Sequence, residues 1–326
     1  MYDVRPAVSW RTTEGAALAS EILARLGRRE SLQDLHLPAH EGRIDLRGLR
    51  APEPTETDRV IGGRRVTELS RLVELHDAVL ADLDLSDARL PRFRLFRSTI
   101  RNCRFDRAVC RDWRLWATDI VDSSFAGSEL GDSALGTWHR GRGNAYQRVS
   151  FVEANLRGAA HAAPATFIDC DFSHAILVKN EFSGTSFVRC RFAGLLREVI
   201  FHATSFVVPE AGRGRFEDVD FSEAQLRWCD FRGIDLDRVI FPSDDDHVIV
   251  TDLRCALTKT LAAYPAPPPA IRGVLAVLRH TLKWASEPQR RTVFNTRDFV
   301  ESAGEDAARA LVDVLTRSMR ECAAEG

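Results

Sequence analysis

An apolar residue recurs at every fifth position through the middle of the chain. The series runs without a break from Leu75 to Leu135 and, after short shifts of register, ends at Phe241. Of the 31 positions in the series, which we call centres, 29 are Leu, Ile or Phe, and the two exceptions are Cys110 and Ala211. Chance placement does not produce such a run, so the period reports on backbone geometry.

The residue two positions before a centre follows a second rule, because it is usually small. Examples are Ala78, Ala88, Ser98, Cys103, Ala108, Ser123, Ala154 and Cys190. A period of five matches neither the 3.6 of a helix nor the 2.0 of a strand. It predicts a chain that turns a corner once per repeat, so that four sides close a turn with the centre and the small residue inside. Neighbouring turns would pair through backbone hydrogen bonds about 4.8 Å apart.

Several segments of this series match one short motif, A(D/N)LxX. The matching segments are Leu83 to Ser86, Ala154 to Arg157, Cys170 to Ser173, Val219 to Ser222 and Cys229 to Arg232. The chain therefore resembles the pentapeptide-repeat family over Leu75 to Phe241. The resemblance implies a mainly β fold, a right-handed quadrilateral β-helix, here with about eight coils in a solenoid about 40 Å long.

Helical patterns flank the repeats at both ends. Glu14 to Arg29 carries an apolar face, with Thr12 or Thr13 as its N-cap. Beyond the repeats, helical patterns cover Val248 to Ala263, Pro269 to Ala285 and Gly304 to Met319. We predict an α-helical N-terminal cap (1–40), a linker with a candidate first coil at Ile44 to Gly48 (41–74), the β-helix (75–242) and an α-helical C-terminal segment (243–326).

The last predicted helix carries one apolar stripe. Its members are Ala308, Leu311, Val312, Leu315 and Met319. Two interpretations fit this stripe. It forms the core of a cap on the solenoid, which we favour, or the seam of a homodimer.

Composition is that of a globular chain, with 44% hydrophobic and 28% charged residues and a formal net charge of -2. No apolar run reaches the length of a membrane span, and the N-terminus lacks a signal-peptide pattern, so we expect a cytoplasmic protein without membrane contact. The seven cysteines are scattered and none forms a C-x-x-C pair. This favours reduced thiols over a disulfide framework or a zinc site.

Catalytic motifs are missing from the sequence. It contains no phosphate-binding loop, no dinucleotide-binding glycine pattern and no nucleophile elbow. The run Asp244 to His247 lacks the spaced ligands of a calcium loop, so we interpret it as a solvated turn. We therefore expect no enzyme, with no catalytic residue, cofactor or metal.

Two stretches of the repeats carry opposite local charge. Arg89 to Arg114 holds nine arginines against two aspartates, and Glu210 to Asp246 holds eleven acids against five arginines. The second stretch supplies a predicted acidic surface, formed by Glu217, Asp218, Asp220, Asp230, Asp235 and Asp237.

Exposed aromatic residues are expected in the basic stretch. Phe96 and Trp116 each follow a centre, so they should stack on the outside unless the N-terminal helix or the loop from Ala51 to Asp58 covers them. Phe93 and Trp113 are bulky where the family has small residues, which questions the coil geometry here. The predicted partner-binding residues are Arg94, Phe96, Arg97, Arg114 and Trp116.

The function that we favour is a non-enzymatic scaffold whose solenoid surface binds a protein partner of unknown identity. The resemblance implies an alternative, because some members of the family mimic DNA and modulate or protect type II topoisomerases such as DNA gyrase. Leu75 to Phe241 holds 22 basic and 23 acidic residues, whereas a DNA mimic of this length needs about twenty net negative charges. A third possibility is nucleic-acid binding through the arginines and aromatic rings.

Overall fold

The computed structural model describes residues 8–62, 64–70, 72–159, 164–285 and 288–325. The chain divides into two compact units, one formed by residues 1–161 and 165–176 and the other by residues 162–164 and 177–326. None of the helices in these described ranges is long and apolar enough to cross a bilayer. The helices are α1 (Thr13–Arg28) in the first unit and α2 (Leu253–Ala262), α3 (Arg272–Leu282), α4 (Thr296–Ala303) and α5 (Glu305–Glu325) in the second.

Short strands make up most of the remaining regular structure. The first unit has β1 (Ala39–His40), β2 (Arg43–Asp45), β3 (Thr55–Ile61), β4 (Arg64–Ser70), β5 (Glu74–His76), β6 (Val79–Ala81), β7 (Leu83–Asp84), β8 (Arg94–Phe96), β9 (Thr99–Arg101), β10 (Arg114–Trp116), β11 (Asp119–Val121), β12 (Trp138–His139), β13 (Arg142–Gln147) and β14 (Ala165–Ile168). The second has β15 (Leu177–Val178), β16 (Glu181–Ser183), β17 (Ser186–Val188), β18 (Arg191–Arg197), β19 (Ile200–His202), β20 (Phe216–Glu217), β21 (Val219–Arg227), β22 (Asp230–Arg232), β23 (Val239–Ile240), β24 (His247–Val250) and β25 (Thr292–Asn295).

Parallel pairing in the first unit shows how the chain winds. Leu75, Leu95 and Leu115 lie side by side in β5, β8 and β10, so the chain returns to the same face after twenty residues. A second ladder joins β6, β9, β11, β13 and β14. Two further columns of parallel bridges run from Asp84 and from Arg89. Each turn thus contributes to four ladders.

The corner of each repeat has one backbone signature. In most repeats the residue two positions after a centre takes a left-handed conformation, with φ of 52° at Asp77, 56° at Asp82 and 60° at Asp87. Asp and Asn tolerate this region better than most side chains. One left-handed residue in every five therefore gives the period its physical basis.

The centres form the interior of both units. All of them are buried except Phe206, which is 66% exposed, and Ala211. The sequence prediction is wrong at these two because residues 204–213 leave the coil as a loop. Thr204 and Arg213 pair in an antiparallel bridge at its base. The period did not reveal this loop because its ten residues equal two repeats.

Strand pairing in the second unit is also parallel. β15, β18, β21 and β23 form one ladder, β16, β19 and β22 another, and β17 pairs with β20. The register shift expected near Gly194 corresponds to a shift in the pairing of β18 with β21 between Arg191 and Ala193. Both units are therefore built mainly of stacked parallel strands, with helices as a minor part.

Hairpins interrupt the turns of the first unit. β3 and β4 pair in antiparallel fashion, so strand rather than loop begins at Thr55. Before this hairpin, β2 pairs with β7 and places Ile44 opposite Leu83. The register of the five-residue series shifts between Gly136 and Arg148 because the hairpin of β12 and β13 lies there. The next register shift of the series, at Gly158 to Pro164, lies mostly outside the described residues.

The N-terminal helix begins close to its predicted position. The Thr12 hydroxyl caps α1 by accepting from the Gly15 N–H at 3.0 Å. Trp10 precedes this cap, and its indole N–H donates to the Arg47 carbonyl at 2.7 Å. Because Arg47 follows β2, this bond fixes the start of α1 to the first turn.

The C-terminal segment differs from its prediction at one end. Val248 to Val250 belong to β24, which pairs with β25, and helix starts only at Leu253. The apolar stripe of α5 lies in a core shared with α2, α3 and α4. That core accounts for the stripe without a homodimer.

Side chains of this segment also satisfy backbone groups of the last turns. The Asp298 carboxylate accepts from the Trp228 N–H at 2.6 Å, and the Gln289 amide donates to the Phe231 carbonyl at 2.9 Å. Such contacts stop a strand edge from pairing with another chain.

One cysteine pair contradicts the expectation of reduced thiols. Cys255 in α2 and Cys322 in α5 are joined by a disulfide, although 67 positions separate them. No short motif signals the pair, because only the packing of α2 against α5 brings the two residues together.

Candidate functional site

The first unit presents a stack of three rings. β5, β8 and β10 place His76, Phe96 and Trp116 in register, and we call these residues the aromatic ladder. Ring centroids lie 4.5 Å apart between His76 and Phe96 and 4.3 Å apart between Phe96 and Trp116, with interplanar angles of 4° and 2°. His76 is exposed and the other two are half-buried.

The stack determines which parts of the rings meet solvent. Both faces of the Phe96 ring are covered by its neighbours, so Phe96 offers its ring edge rather than an open face. Edges and half-buried side chains suit contact with another protein surface, whereas stacking of a nucleobase needs a free face. His76 was not among the predicted partner-binding residues, although it too follows a centre, Leu75.

Carboxylates engage the arginines predicted to bind a partner. Arg97 donates to both oxygens of Asp77, at 2.8 and 2.7 Å. This hydrogen bonding lowers the pKa of Asp77 and raises that of Arg97. Arg94 lies 3.2 Å and Arg114 2.8 Å from the carboxylate of Asp112.

Other arginines of the basic stretch are paired in the same way. Arg107 contacts Asp87 at 2.8 Å and Arg111 contacts Glu129 at 3.1 Å. Arg104 binds Glu41. Stacking thus brings in acids about twenty residues away or from outside the repeats. The local charge counted along the sequence therefore overstates the basic character of this surface.

Phe93 and Trp113 lie inside the first unit. They are 2% and 1% exposed, and their rings stack with centroids 5.5 Å apart. The Trp113 indole N–H donates to the Leu90 carbonyl at 2.5 Å. The parallel register of β8 and β10 continues unbroken beside them. Bulky side chains at these positions are accommodated without loss of the coil.

Three of the six residues of the predicted acidic surface are paired with arginines. Glu217 lies 3.1 Å from Arg215, Asp230 lies 2.7 Å from Arg232, and Asp218 is bound by Arg238. Asp220 accepts a hydrogen bond from the Ser222 backbone N–H at 2.8 Å, and Asp235 accepts one from the Asp237 backbone N–H at 3.0 Å. Asp237 itself is exposed. This surface lacks the dense negative charge of DNA.

The second unit contains a cavity that the sequence did not predict. It has a volume of about 390 Å³, and Phe231, Phe294 and Phe299 line its buried part. Asp298 also lines it, and burial raises the pKa of this carboxyl although Arg227 opposes the shift at 2.5 Å. The residues that form the cavity are far apart in sequence, so no local pattern signals it.

The stacked parallel ladders define the class of the protein as a β-solenoid repeat protein. The family model described as "Pentapeptide repeats (8 copies)" matches residues 212–241. This match confirms the family that the sequence resemblance predicted. No curated protein matches the sequence.

Similar solved structures include two trypsin-treated variants of QnrB1, described as a plasmid-mediated fluoroquinolone resistance protein. Both are 16% identical to this chain, covering 52% and 53% of it and 75% and 76% of their own length, with TM-scores of 0.38 and 0.32. Another is the pentapeptide repeat protein Rfr23 from the cyanobacterium Cyanothece 51142. It is 14% identical, covers 52% of this chain and 64% of its own, and has a TM-score of 0.10.

Proposed function

We propose that this chain is a non-enzymatic scaffold that binds a protein partner through the exposed edge of the aromatic ladder. The stacked and half-buried rings of His76, Phe96 and Trp116 carry the proposal. Their side chains are already ordered by mutual stacking, so binding there costs little conformational entropy. Aromatic residues held in this way are frequent anchors of protein interfaces.

The proposal includes the finer geometry of the fold. Four ladders per turn support a quadrilateral coil, and we assign it the right-handed winding that connections between parallel strands almost always have. The predicted division into residues 1–40, 41–74, 75–242 and 243–326 is part of the same proposal. The helical ends would then cover the exposed strand edges.

Charge argues against the two alternatives. Arg94, Arg97 and Arg114 are held by carboxylates, which leaves little net positive charge to attract a phosphate backbone. The pairing of Glu217, Asp218 and Asp230 with arginines similarly weakens the case for mimicry of DNA. No feature of either surface favours a topoisomerase over another protein partner.

The test is affinity capture of the full chain from host lysate, with and without nuclease. We expect a protein that is captured after nuclease treatment and lost from a Phe96→Ala, Trp116→Ala variant. The matched control is Phe206→Ala, Val207→Ala, which removes two exposed apolar side chains of the second unit, 66% and 70% exposed. Equal capture by all three proteins would overturn the proposal.

The same experiment separates the alternatives. Capture that disappears after nuclease treatment would overturn the protein scaffold in favour of nucleic-acid binding. A topoisomerase subunit retained by the ladder variant would place its binding elsewhere and also contradict the proposed site. A topoisomerase subunit lost from the variant would support the site and identify the partner.

A further inference from the structure

The disulfide of the second unit lies beside a carboxylate. Cys255 and Cys322 are the bonded pair, and one oxygen of Asp252 completes a group whose three ligand atoms all lie within 4.8 Å of one another. Cys322 is buried, Cys255 half-buried and Asp252 exposed, so the group is closed on one side and open to solvent on the other.

The position of Asp252 lacks a purely structural explanation. It is the N-cap of α2, where an aspartate usually accepts a hydrogen bond from the first turn. Its side chain makes no such bond, and its backbone has a φ of 46° in the left-handed region. The carboxylate is instead directed to the side of α2 that carries Cys255, three residues later.

We propose that the reduced form of this group is a metal site for Zn²⁺, with ligands from Asp252, Cys255 and Cys322. Thiolate sulfur selects zinc over hard cations such as Ca²⁺ or Mg²⁺. Two sulfurs and one carboxylate oxygen make three ligands of a tetrahedron, and water from the open side supplies the fourth. Zinc–sulfur bonds of about 2.3 Å place the two sulfurs about 3.8 Å apart, so the sulfurs must separate after the S–S bond breaks, while the two Cα atoms lie 6.1 Å apart.

Replacement of the disulfide by Zn²⁺ requires a reductant, and a dithiol supplies the electrons. The reductant transfers two electrons and two protons to the pair, which breaks the S–S bond and leaves two thiols, while its own sulfurs close a disulfide. Zn²⁺ then forms two Zn–S bonds and releases the two thiol protons to water. In the reduced state the metal would join α5 to α2 in place of the disulfide.

The other described cysteines cannot compete for the metal. Cys103, Cys110, Cys170 and Cys190 are buried inside the turns and Cys229 is half-buried. Burial raises the pKa of both Cys103 and Cys229 to about 12. A thiol of that kind stays protonated and is a poor ligand. The reduced chain should therefore bind one metal ion rather than several.

The test uses the full chain, reduced with a dithiol, desalted without oxygen and titrated with Co²⁺ alone. We expect one Co²⁺ per chain, with the charge-transfer absorption of a cobalt–thiolate bond, and displacement of Co²⁺ by Zn²⁺. Cys322→Ser should abolish the absorption, and Asp252→Asn should weaken binding by about tenfold or more. Glu325→Gln, a carboxylate of α5 that contacts Lys259, is the matched control and should bind as the parent does.

The unreduced parent provides a comparison that does not depend on a variant's folding. It should show no cobalt–thiolate absorption, because its sulfurs are bonded to each other. The proposal fails if the reduced parent shows no such absorption. It also fails if the unreduced parent or Cys322→Ser shows the same absorption, or if Asp252→Asn binds as tightly as Glu325→Gln.

Discussion

Two tryptophans only three positions apart have opposite environments. Trp113 is 1% exposed and bonded to the Leu90 carbonyl, whereas Trp116, three positions later, is half-buried and stacked on Phe96. The difference follows from position within the repeat, because Trp113 precedes a centre by two positions and Trp116 follows it by one. Identical side chains therefore contribute differently to stability and to binding.

Replacement of each tryptophan by alanine separates these roles. Trp113→Ala should lower the free energy of unfolding by about 3–5 kcal/mol, since it leaves a large cavity in the core. Trp116→Ala should cost about 1 kcal/mol or less, because this half-buried ring lies on the outside of the turn and its removal leaves no enclosed cavity. Denaturant unfolding measures both, with Phe206→Ala as a near-neutral control. An equal loss for the two tryptophans would make the ladder part of the core and remove the candidate binding site.

Among the structural elements, the turn that contains residues 204–213 accommodates inserted residues because the chain returns to the coil after them. Residues 204–213 leave the coil and return to it, and the Gly214 N–H donates to the Ala203 carbonyl at 2.6 Å. The flanking residues Phe201 and Phe216 both stay buried in the interior. The loop is therefore an insertion into one turn rather than two of its sides.

Excision of this loop tests that description. A chain in which Ala203 is joined to Gly214 should fold, with a loss of about 2 kcal/mol or less, because the four sides of the turn remain and the loop contributes little core. Circular dichroism and thermal unfolding give the result. An equally long deletion of residues 217–226 removes two sides of a turn and should abolish folding. Loss of structure in the first variant, or a folded second variant, would contradict an insertion.

In the molecule as a whole, contacts between distant parts of the sequence stabilise regions that the repeat does not specify. The C-terminal segment supplies Asp298 and Gln289 to the last turns, and its own core is held by the bond between Cys255 and Cys322. A cross-link over 67 positions restricts the unfolded chain strongly.

Reduction of this disulfide should be visible in stability. In the presence of a chelator, reduction of the parent should lower the free energy of unfolding by about 4 kcal/mol, the chain-entropy value for a loop of this length. The variant Cys255→Ser, Cys322→Ser should unfold at the same temperature with or without reductant. An oxidised and a reduced parent with the same thermal midpoint would show that the cross-link does not stabilise the fold.

Local sequence is sufficient to specify the repeat. Because the corner, the centre and the small residue all lie within five positions, local geometry dictates the turn, and the outward stacking of Phe96 and Trp116 follows from their phase. His76 could have been found by the same rule. The loop at 204–213 could not, since an insertion of two whole repeats leaves the phase unchanged.

The contacts between turns and between segments depend on the tertiary fold. The pairing of Arg97 with Asp77, the cavity beside Asp298 and the bond between Cys255 and Cys322 join residues from twenty to about seventy positions apart. A periodic pattern specifies which face each side chain occupies but not which partner it meets across that distance. The charge of each surface, and with it the proposed function, depends on those partners.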